Sequence, residues 1–213
     1  MKNTLVLEML ESDRIEELKQ MLRDEIYVDS IKSKPTANKR YTAMKKYFKY
    51  TNNVRECCQK PCDIIFEDKP YLSFTNSWSL VLTTEDCGEI EKFDTENGKY
   101  PDVARLIRFD GIKKKIDFNK VIAEAKTLGY KLNKKEVGPG YKYLMLYDGT
   151  YYRLGLIDIS FSIINDGEPI MTYHPDGLKM PLTMKNDIGL SMVMPLYVDD
   201  EEKLEDLVVI EVD

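Results

Sequence analysis

Short β-rich runs bounded by turn residues dominate the chain from residue 63 onward and constrain its fold more than any other feature. In the clearest case, runs 141–147 and 151–156 flank Asp148-Gly149, a dipeptide favoured in the type I′ turns of β-hairpins because both central residues take positive φ. Runs this short and this closely joined predict antiparallel strands. The other runs that we assign as strands are 3–7, 63–67, 71–75, 78–84, 112–116, 169–173, 178–184 and 190–198.

Four stretches repeat apolar residues at helical spacing instead. The first follows a Ser12 cap, the second spans 37–56, the third lies between an Asp117 cap and a Gly129 stop, and the fourth spans 158–165. Helices alternate with strands too sparsely for a doubly wound parallel sheet. We therefore predict an α+β fold of antiparallel sheets with helices packed on one face.

The opening pattern of a strand followed by a helix recurs in the second half of the chain. Between the two occurrences, the loop 94–102 carries an Asn-Gly dipeptide and a proline, which favour irregular structure. We predict two domains with two helices each, 1–106 and 107–198, followed by an acidic tail, 199–213.

The net charge of −6 hides an uneven distribution of charged residues. Nine Lys or Arg residues and one acid occupy 32–60, eight Lys and two acids occupy 112–135, and eight acids and one Lys occupy 199–213. Such a protein can present a positive surface to a polyanion while the rest of its exterior repels it. The basic stretches are therefore the first place to look for function.

The second predicted helix is two-sided. At 100° per residue its lysines fall within about 120° of each other, next to an apolar face. Lysine ammonium groups displace condensed counterions from a phosphate backbone and need no base-specific geometry, although a solvated helix face would carry the same residues. The residues that we predict to contact DNA are Lys39, Arg40, Lys45, Lys46, Lys49, Lys113, Lys114, Lys120 and Lys126.

Motifs that carry catalysis are missing from the sequence. It holds no P-loop, Gly-x-Gly-x-x-Gly, His-Glu-x-x-His or EF-hand pattern. The single histidine, His174, lies in a turn-like Tyr-His-Pro-Asp-Gly context, where we expect it to face solvent. We therefore predict that the protein is not an enzyme and needs no cofactor.

The four cysteines are Cys57, Cys58, Cys62 and Cys87. They lack the paired Cys-x-x-Cys knuckles of zinc sites, so we expect free thiols. A four-thiolate zinc site, and with it a zinc enzyme, is the alternative.

The sequence also bears on location. No segment approaches the ~18 consecutive apolar residues that a membrane span needs. Glu8 and Glu11 interrupt the apolar run that a signal peptide would require. We predict a cytoplasmic protein without membrane contact.

Three segments together resemble the bacterial DNA sliding clamp, the beta subunit of DNA polymerase III. Clamps end in a strand with a Met-Pro-Met-like signature, and the run 166–198 contains Met194-Pro195-Leu196. Segment 98–107, with its Tyr-Pro-Asp, is similar to the Phe-Pro-Asp segment before the last clamp domain, and 116–123 resembles the opening of that domain. The chain departs from the family in being about one domain short, in its poorly matching first half, and in the 15 residues that follow the Met-Pro strand.

The resemblance implies a processivity-clamp-like (DNA clamp) fold, in which helices line the inside of a ring and sheets form its outside. With two domains per chain, three copies would close a six-domain ring around double-stranded DNA. It also implies a pocket for a peptide from a DNA polymerase or another replication protein. The residues that match this pocket are Met194, Pro195, Leu196 and Val198, which would equally suit an ordinary edge strand.

Two further points stay open from the sequence. A protein-interaction adaptor of the same fold, without a ring and without DNA binding, would use the peptide pocket alone. The apolar residues of the tail, from Leu204 to Ile210, could lie in the chain's own pocket or pair along an exposed strand edge.

Overall fold

The computed structural model describes residues 9–10, 14–51, 55–96, 98–175, 180–197 and 204–212. Over these residues the chain is a mixed α+β protein, which confirms the predicted class. Its α-helices are α1 (Ile15–Ile31), α2 (Pro35–Thr51), α3 (Phe118–Thr127), α4 (Lys134–Val137) and α5 (Leu154–Ile164). Its strands are β1 (Cys62–Phe66), β2 (Lys69–Thr75), β3 (Ser79–Thr83), β4 (Ile112–Ile116), β5 (Tyr143–Tyr147), β6 (Thr150–Arg153), β7 (Ile170–His174), β8 (Leu182–Asn186), β9 (Gly189–Val193) and β10 (Val208–Val212).

Seven strands form one antiparallel sheet in the order β1-β2-β3-β9-β8-β7-β4. At its centre β3 pairs with β9, with Ser79 opposite Val193 and Thr83 opposite Gly189. The sheet thus joins strands from both sides of residue 106, where we expected a domain boundary. Its main hydrophobic core likewise combines residues from both sides, Phe74 and Ile170 among them.

A smaller sheet has the order β10-β5-β6. β10 runs parallel to β5, with Val208 opposite Tyr143 and Val212 opposite Tyr147. Ile210 of β10 is buried in the main core. We expected the apolar part of the tail either in the chain's own pocket or along an exposed strand edge. In the structure it pairs along the edge of β5.

The alternation of side chains in the large sheet produces two separate cores. Val81 and Val193 face the helices and belong to the main core. Leu82 and Leu190 face the opposite side, where the segment 98–109 covers them through Val103 and neighbouring aromatic residues. The helices therefore pack on one face of the sheet, as predicted.

Helix α5 is the centre of the helical layer. Its sequence is apolar nearly all round, and ten of its residues are buried, as expected for a helix enclosed on every side. β3 and β9 pack against it, and α2 packs against it as well. Because α2 buries Tyr41, Met44 and Tyr47, its lysine-bearing side faces outward.

Some predicted element bounds need correction. α2 ends at Thr51 and not at 56, and α5 begins at Leu154, which shortens the preceding hairpin strand to Arg153. Ser12 and the predicted strand 3–7 lie outside the described residues, as do residues 176–179 of the loop before β8. Within the described part of the chain, no helix combines the length and the apolar character that a bilayer crossing requires.

Candidate functional site

A groove of about 620 Å³ opens along α2 from Thr36 to Lys46, beside the first turn of α3 and the last turn of α5. Two lysines and one aspartate are its charged residues, and hydroxyl and amide side chains make up most of the rest. We call it the helix groove. Its lining residues are Thr36, Asn38, Lys39, Thr42, Ala43, Lys46, Asp117, Asn119, Leu132, Ser162, Asn165 and Gly167.

The four predicted lysines of α2 are all exposed, but they do not all lie in the same surroundings. Lys39 and Lys46, seven residues or about two turns apart, line the helix groove. Lys45 forms an ion pair with Asp24 of α1, and its ammonium lies 5.5 Å from the centroid of the Tyr41 ring. The groove lysines are therefore those on the α5 side of α2.

Asp158 on α5 is a buried carboxyl connected to the helix groove through Ser162. It is buried, and it accepts hydrogen bonds from Tyr130 Oη at 2.9 Å and Ser162 Oγ at 3.3 Å. Burial raises the pKa of Asp158, while the hydrogen bonds and the positive charges of Lys126 and Lys46 oppose this rise. Ser162 also lines the helix groove, so the buried carboxyl is one hydrogen bond away from that groove.

This arrangement suits contact with phosphate groups. Lysines from two helices stand beside hydroxyl and amide side chains, the groups with which proteins position nucleic-acid backbones. Lys120 is exposed near the groove, and its ammonium lies 3.6 Å from the Asp117 carboxylate. Lys39, Lys46 and Lys120 thus place positive charge at the groove. Lys126 is exposed as well, but it lies six residues after Lys120, about 120° around α3.

Arg40, predicted to contact DNA, is not available for that role. Only 8% of it is exposed. Its guanidinium pairs with Glu85 and donates a hydrogen bond from Nη2 to the Asn165 carbonyl at 3.2 Å. One residue step rotates it about 100° from Lys39, onto the packed side of α2.

Lys113 and Lys114 lie apart from the helix groove, on β4 at the edge of the large sheet. Lys113 faces the side of the second core, with its ammonium 5.6 Å from the centroid of the Tyr173 ring. Lys114 faces the other side and lines a cavity with Asp148 and Glu211. The structure therefore divides the predicted DNA-contacting residues among the helix groove, the α1 side of α2, the packed side of α2 and the two faces of β4.

The segment predicted to carry a peptide pocket follows β9. Met194 N donates to the Trp78 carbonyl at 2.9 Å, and Leu196 N donates to the Tyr151 carbonyl at 2.7 Å. Met194 is 39% exposed, whereas Pro195 is buried. Leu196 is partly buried, and Val198 lies outside the described residues.

Beside Met194 the structure places three residues that our sequence reasoning missed. The Arg153 guanidinium lies 4.6 Å from the ring centroid of Trp78 and 4.9 Å from that of Tyr141. Trp78 is 50% exposed although it is a large apolar side chain. We call Trp78, Tyr141, Arg153 and Met194 the aromatic patch. The only sequence signal was a lone tryptophan directly after a turn.

His174 is not exposed in a turn, contrary to our expectation. It ends β7, is fully buried, and its Nδ1 lies 3.2 Å from Asp148 Oδ2. The rings of Tyr147 and Tyr152 contact it edge-on. It is enclosed because Asp148 and both tyrosines belong to the β5–β6 hairpin, which covers this face of β7.

The four cysteines are free thiols. Burial raises the pKa of Cys58, Cys62 and Cys87, which favours the unreactive protonated form. Among the described residues, no three His, Cys, Asp or Glu side chains come together as metal ligands. The zinc alternative therefore finds no support in this part of the chain.

No family model, no curated protein and no solved structure matches this chain. The features that bear on its function are therefore the helix groove, the aromatic patch and the three sequence segments that resemble sliding clamps.

Replacing Asp158 by asparagine tests the buried carboxyl. The folded protein holds the Asp158 proton more tightly than the unfolded chain does, because the native pKa is raised. The stability that this group contributes is complete below the unfolded value of about 3.9 and is lost as pH rises through the native value. We expect Asp158→Asn to gain stability relative to the wild type as pH increases, measured by urea unfolding at several pH values.

Asp187→Asn, at an exposed carboxyl, is the matched control for the removal of one negative charge. Asparagine keeps a carbonyl oxygen that accepts from Tyr130, so the substitution removes the charge and keeps that acceptor. A stability difference for Asp158→Asn that stayed constant with pH would contradict the raised pKa.

Proposed function

We propose that this chain is a DNA sliding-clamp-like processivity factor, without catalysis of its own, that contacts double-stranded DNA independently of sequence. The observation that carries the proposal is the helix groove, which Lys39 and Lys46 of α2 line beside Asp117, with the exposed Lys120 of α3 3.6 Å from that carboxylate. Lysines from separate helices share a surface there, as a DNA-facing layer needs. The sequence segments that resemble clamps support the same function.

A protein that slides along DNA needs phosphate contacts that are numerous and individually weak. Exposed lysines supply them by releasing counterions, without reading base edges. α2 and α5 pack on the same face of the large sheet, since Tyr47 of α2 donates to the Ser79 carbonyl of β3 and α5 packs against β3 and β9. Helices confined to one face suit a ring with helices inside and sheets outside. The net charge of −6 keeps the remaining surface unattractive to DNA.

The proposal includes assembly of copies of this chain around DNA, as a trimer if the ring contains six clamp-like units. Light scattering on the purified chain, with and without duplex DNA, measures this directly. A species of three times the chain mass supports the ring, and a monomer that ignores DNA contradicts it. This function also places the protein in the cytoplasm, where free cysteines are usual.

The DNA contact is tested by a double charge reversal in the helix groove. We expect Lys39→Glu with Lys46→Glu to weaken binding to duplex DNA by roughly tenfold or more. Each lost phosphate contact should also reduce the slope of log affinity against log salt by about 1. Fluorescence anisotropy of a labelled duplex at several salt concentrations measures both effects.

The matched control reverses the same number of charges on the sheet. Lys113 and Lys115 are exposed and share one side of β4, away from the helices. Lys113→Glu with Lys115→Glu should leave most of the affinity, because these lysines do not line the groove. Equal losses in both variants would show a general charge effect and contradict a DNA-binding role of the groove.

A second candidate function is supported by the aromatic patch. The patch exposes Trp78 and Met194, as a protein-interaction surface would, and needs no ring. Under this alternative the chain is an adaptor that binds a replication protein and no DNA. A wild-type chain that binds no duplex at low salt, yet binds peptides at the patch, would favour the adaptor.

A further inference from the structure

The Arg153 guanidinium lies over two aromatic rings. The ring centroids of Trp78 and Tyr141 lie 4.6 Å and 4.9 Å from it. Contact with two rings restricts the movement of this planar group, whose N–H donors lie along its edge. Arg153 is therefore prepared to receive an acceptor that lies in the guanidinium plane.

Over the described residues, that acceptor is missing. No carboxylate among these residues forms an ion pair with Arg153. Burial lowers the pKa of Arg153, and the Tyr141 hydroxyl opposes this change. Arg40, the other arginine withdrawn from solvent in this fold, pairs with Glu85. Partly buried cations are normally paired in this way because desolvation costs free energy, so Arg153 is the exception.

An exposed apolar surface adjoins the guanidinium. Trp78 is 50% exposed and Met194 is 39% exposed. The hydrogen bond of 2.9 Å from Met194 N to the Trp78 carbonyl holds the two residues together. A tryptophan beside an arginine is also the composition typical of the residues that dominate binding energy at protein interfaces.

We propose that the aromatic patch binds a peptide segment of a partner protein in which a carboxylate side chain adjoins a bulky apolar residue. The carboxylate accepts two parallel hydrogen bonds from the edge of Arg153, the geometry that guanidinium and carboxylate groups favour. The apolar side chain packs on Trp78 and Met194. This inference deepens the proposed function by giving the chemistry of the tethered partner.

A single-stranded nucleic acid is the other ligand that aromatic and arginine side chains attract. We favour the peptide for two reasons. Arg153 already lies against one face of each ring, and the groove lysines that suit phosphates line a separate cavity. The oligonucleotide is therefore one arm of the test.

The test begins with a library of random heptapeptides selected on the full-length wild-type chain and on Arg153→Leu. We expect wild-type selection to enrich Asp or Glu next to Leu, Ile, Met or Phe, and selection on Arg153→Leu to lose the acid. Wild-type enrichment without an acid preference would overturn the proposal. Recovery of the same acidic peptides on both proteins would also overturn it.

Affinity is then measured through Trp78, whose fluorescence reports on this surface alone because the chain has one tryptophan. Replacing the acid of a selected peptide by its amide should weaken binding by about tenfold or more. The same amide substitution should have little effect on Arg153→Leu. The comparison of acidic and amide peptides uses only the wild-type chain, so it tests the proposal even if Arg153→Leu folds poorly. Near-UV circular dichroism shows whether that variant is folded.

Two further measurements distinguish the peptide site from the clamp function and from a nucleic-acid site. Arg153→Leu should bind duplex DNA as the wild type does. If the wild type itself does not bind duplex DNA, the clamp function is overturned and the peptide result still stands. A thymidine dodecamer should leave Trp78 emission unchanged. Salt-sensitive quenching by the dodecamer, together with no peptide binding, would make the patch a nucleic-acid site and overturn the proposal.

Discussion

A chain that ends at residue 203 is expected to be less stable than the full chain by about 4 kcal/mol or more. The deletion removes β10, whose Ile210 is only 1% exposed and belongs to the main core. It also opens the edge of β5 along five paired residues, from Tyr143 to Tyr147. Because small domains are stable by only about 5 to 15 kcal/mol, much of the truncated protein should unfold at modest urea concentrations.

Two variants of the full-length chain show where this stability resides. Ile210→Ala should cost roughly 2 to 4 kcal/mol, because the cavity lies in packed surroundings. Val209→Ala should cost little, because Val209 is 36% exposed on the other side of the strand. A synthetic peptide with the sequence of residues 204–213 should restore stability to the truncated chain by binding its folded form. An unchanged unfolding midpoint after truncation would contradict the pairing of β10 with β5.

Gly155→Val is expected to lower the free energy of unfolding by roughly 3 kcal/mol or more. Gly155 is the second residue of α5, and a Cβ atom there would lie 2.4 Å from the Glu136 carbonyl oxygen and 2.5 Å from its carbon. Backbone atoms cannot yield as a side chain does, so α5 would have to move away from α4. Urea unfolding measures the loss, and the reduced packing should also increase hydrogen exchange in α5.

Gly140 provides the control for the same substitution. A Cβ atom at Gly140 would meet only the Lys135 side chain, at 3.8 Å, so Gly140→Val should change stability far less. Similar losses at both positions would mean that valine acts through the backbone conformation alone. That result would contradict close contact between α5 and α4.

Local patterns in the sequence were enough to predict most of the elements. The β4 strand lies at 112–116 as predicted, and Asp117 caps the helix that follows by accepting from Lys120 N. The hairpin around Asp148-Gly149 forms with both turn residues at positive φ. These features depend on residues close together in the chain, where turn chemistry and periodicity act directly.

The candidate sites were only partly predictable. Helical periodicity indicated that Lys39 and Lys46 share a side of α2, and they do. It could not indicate that Arg40, one residue along, would meet Glu85. The aromatic patch brings Trp78 and Arg153 together from 75 positions apart, and no local pattern contains that proximity.

Interactions within a few residues fix the α+β class, the turns and the basic side of α2, so these features could be predicted from the sequence. Packing between distant segments is the reason that one sheet crosses residue 106, that β10 pairs with β5 and that His174 is enclosed. A period in the sequence shows which residues share a face. Which segment covers that face depends on burial and steric fit between distant parts of the chain.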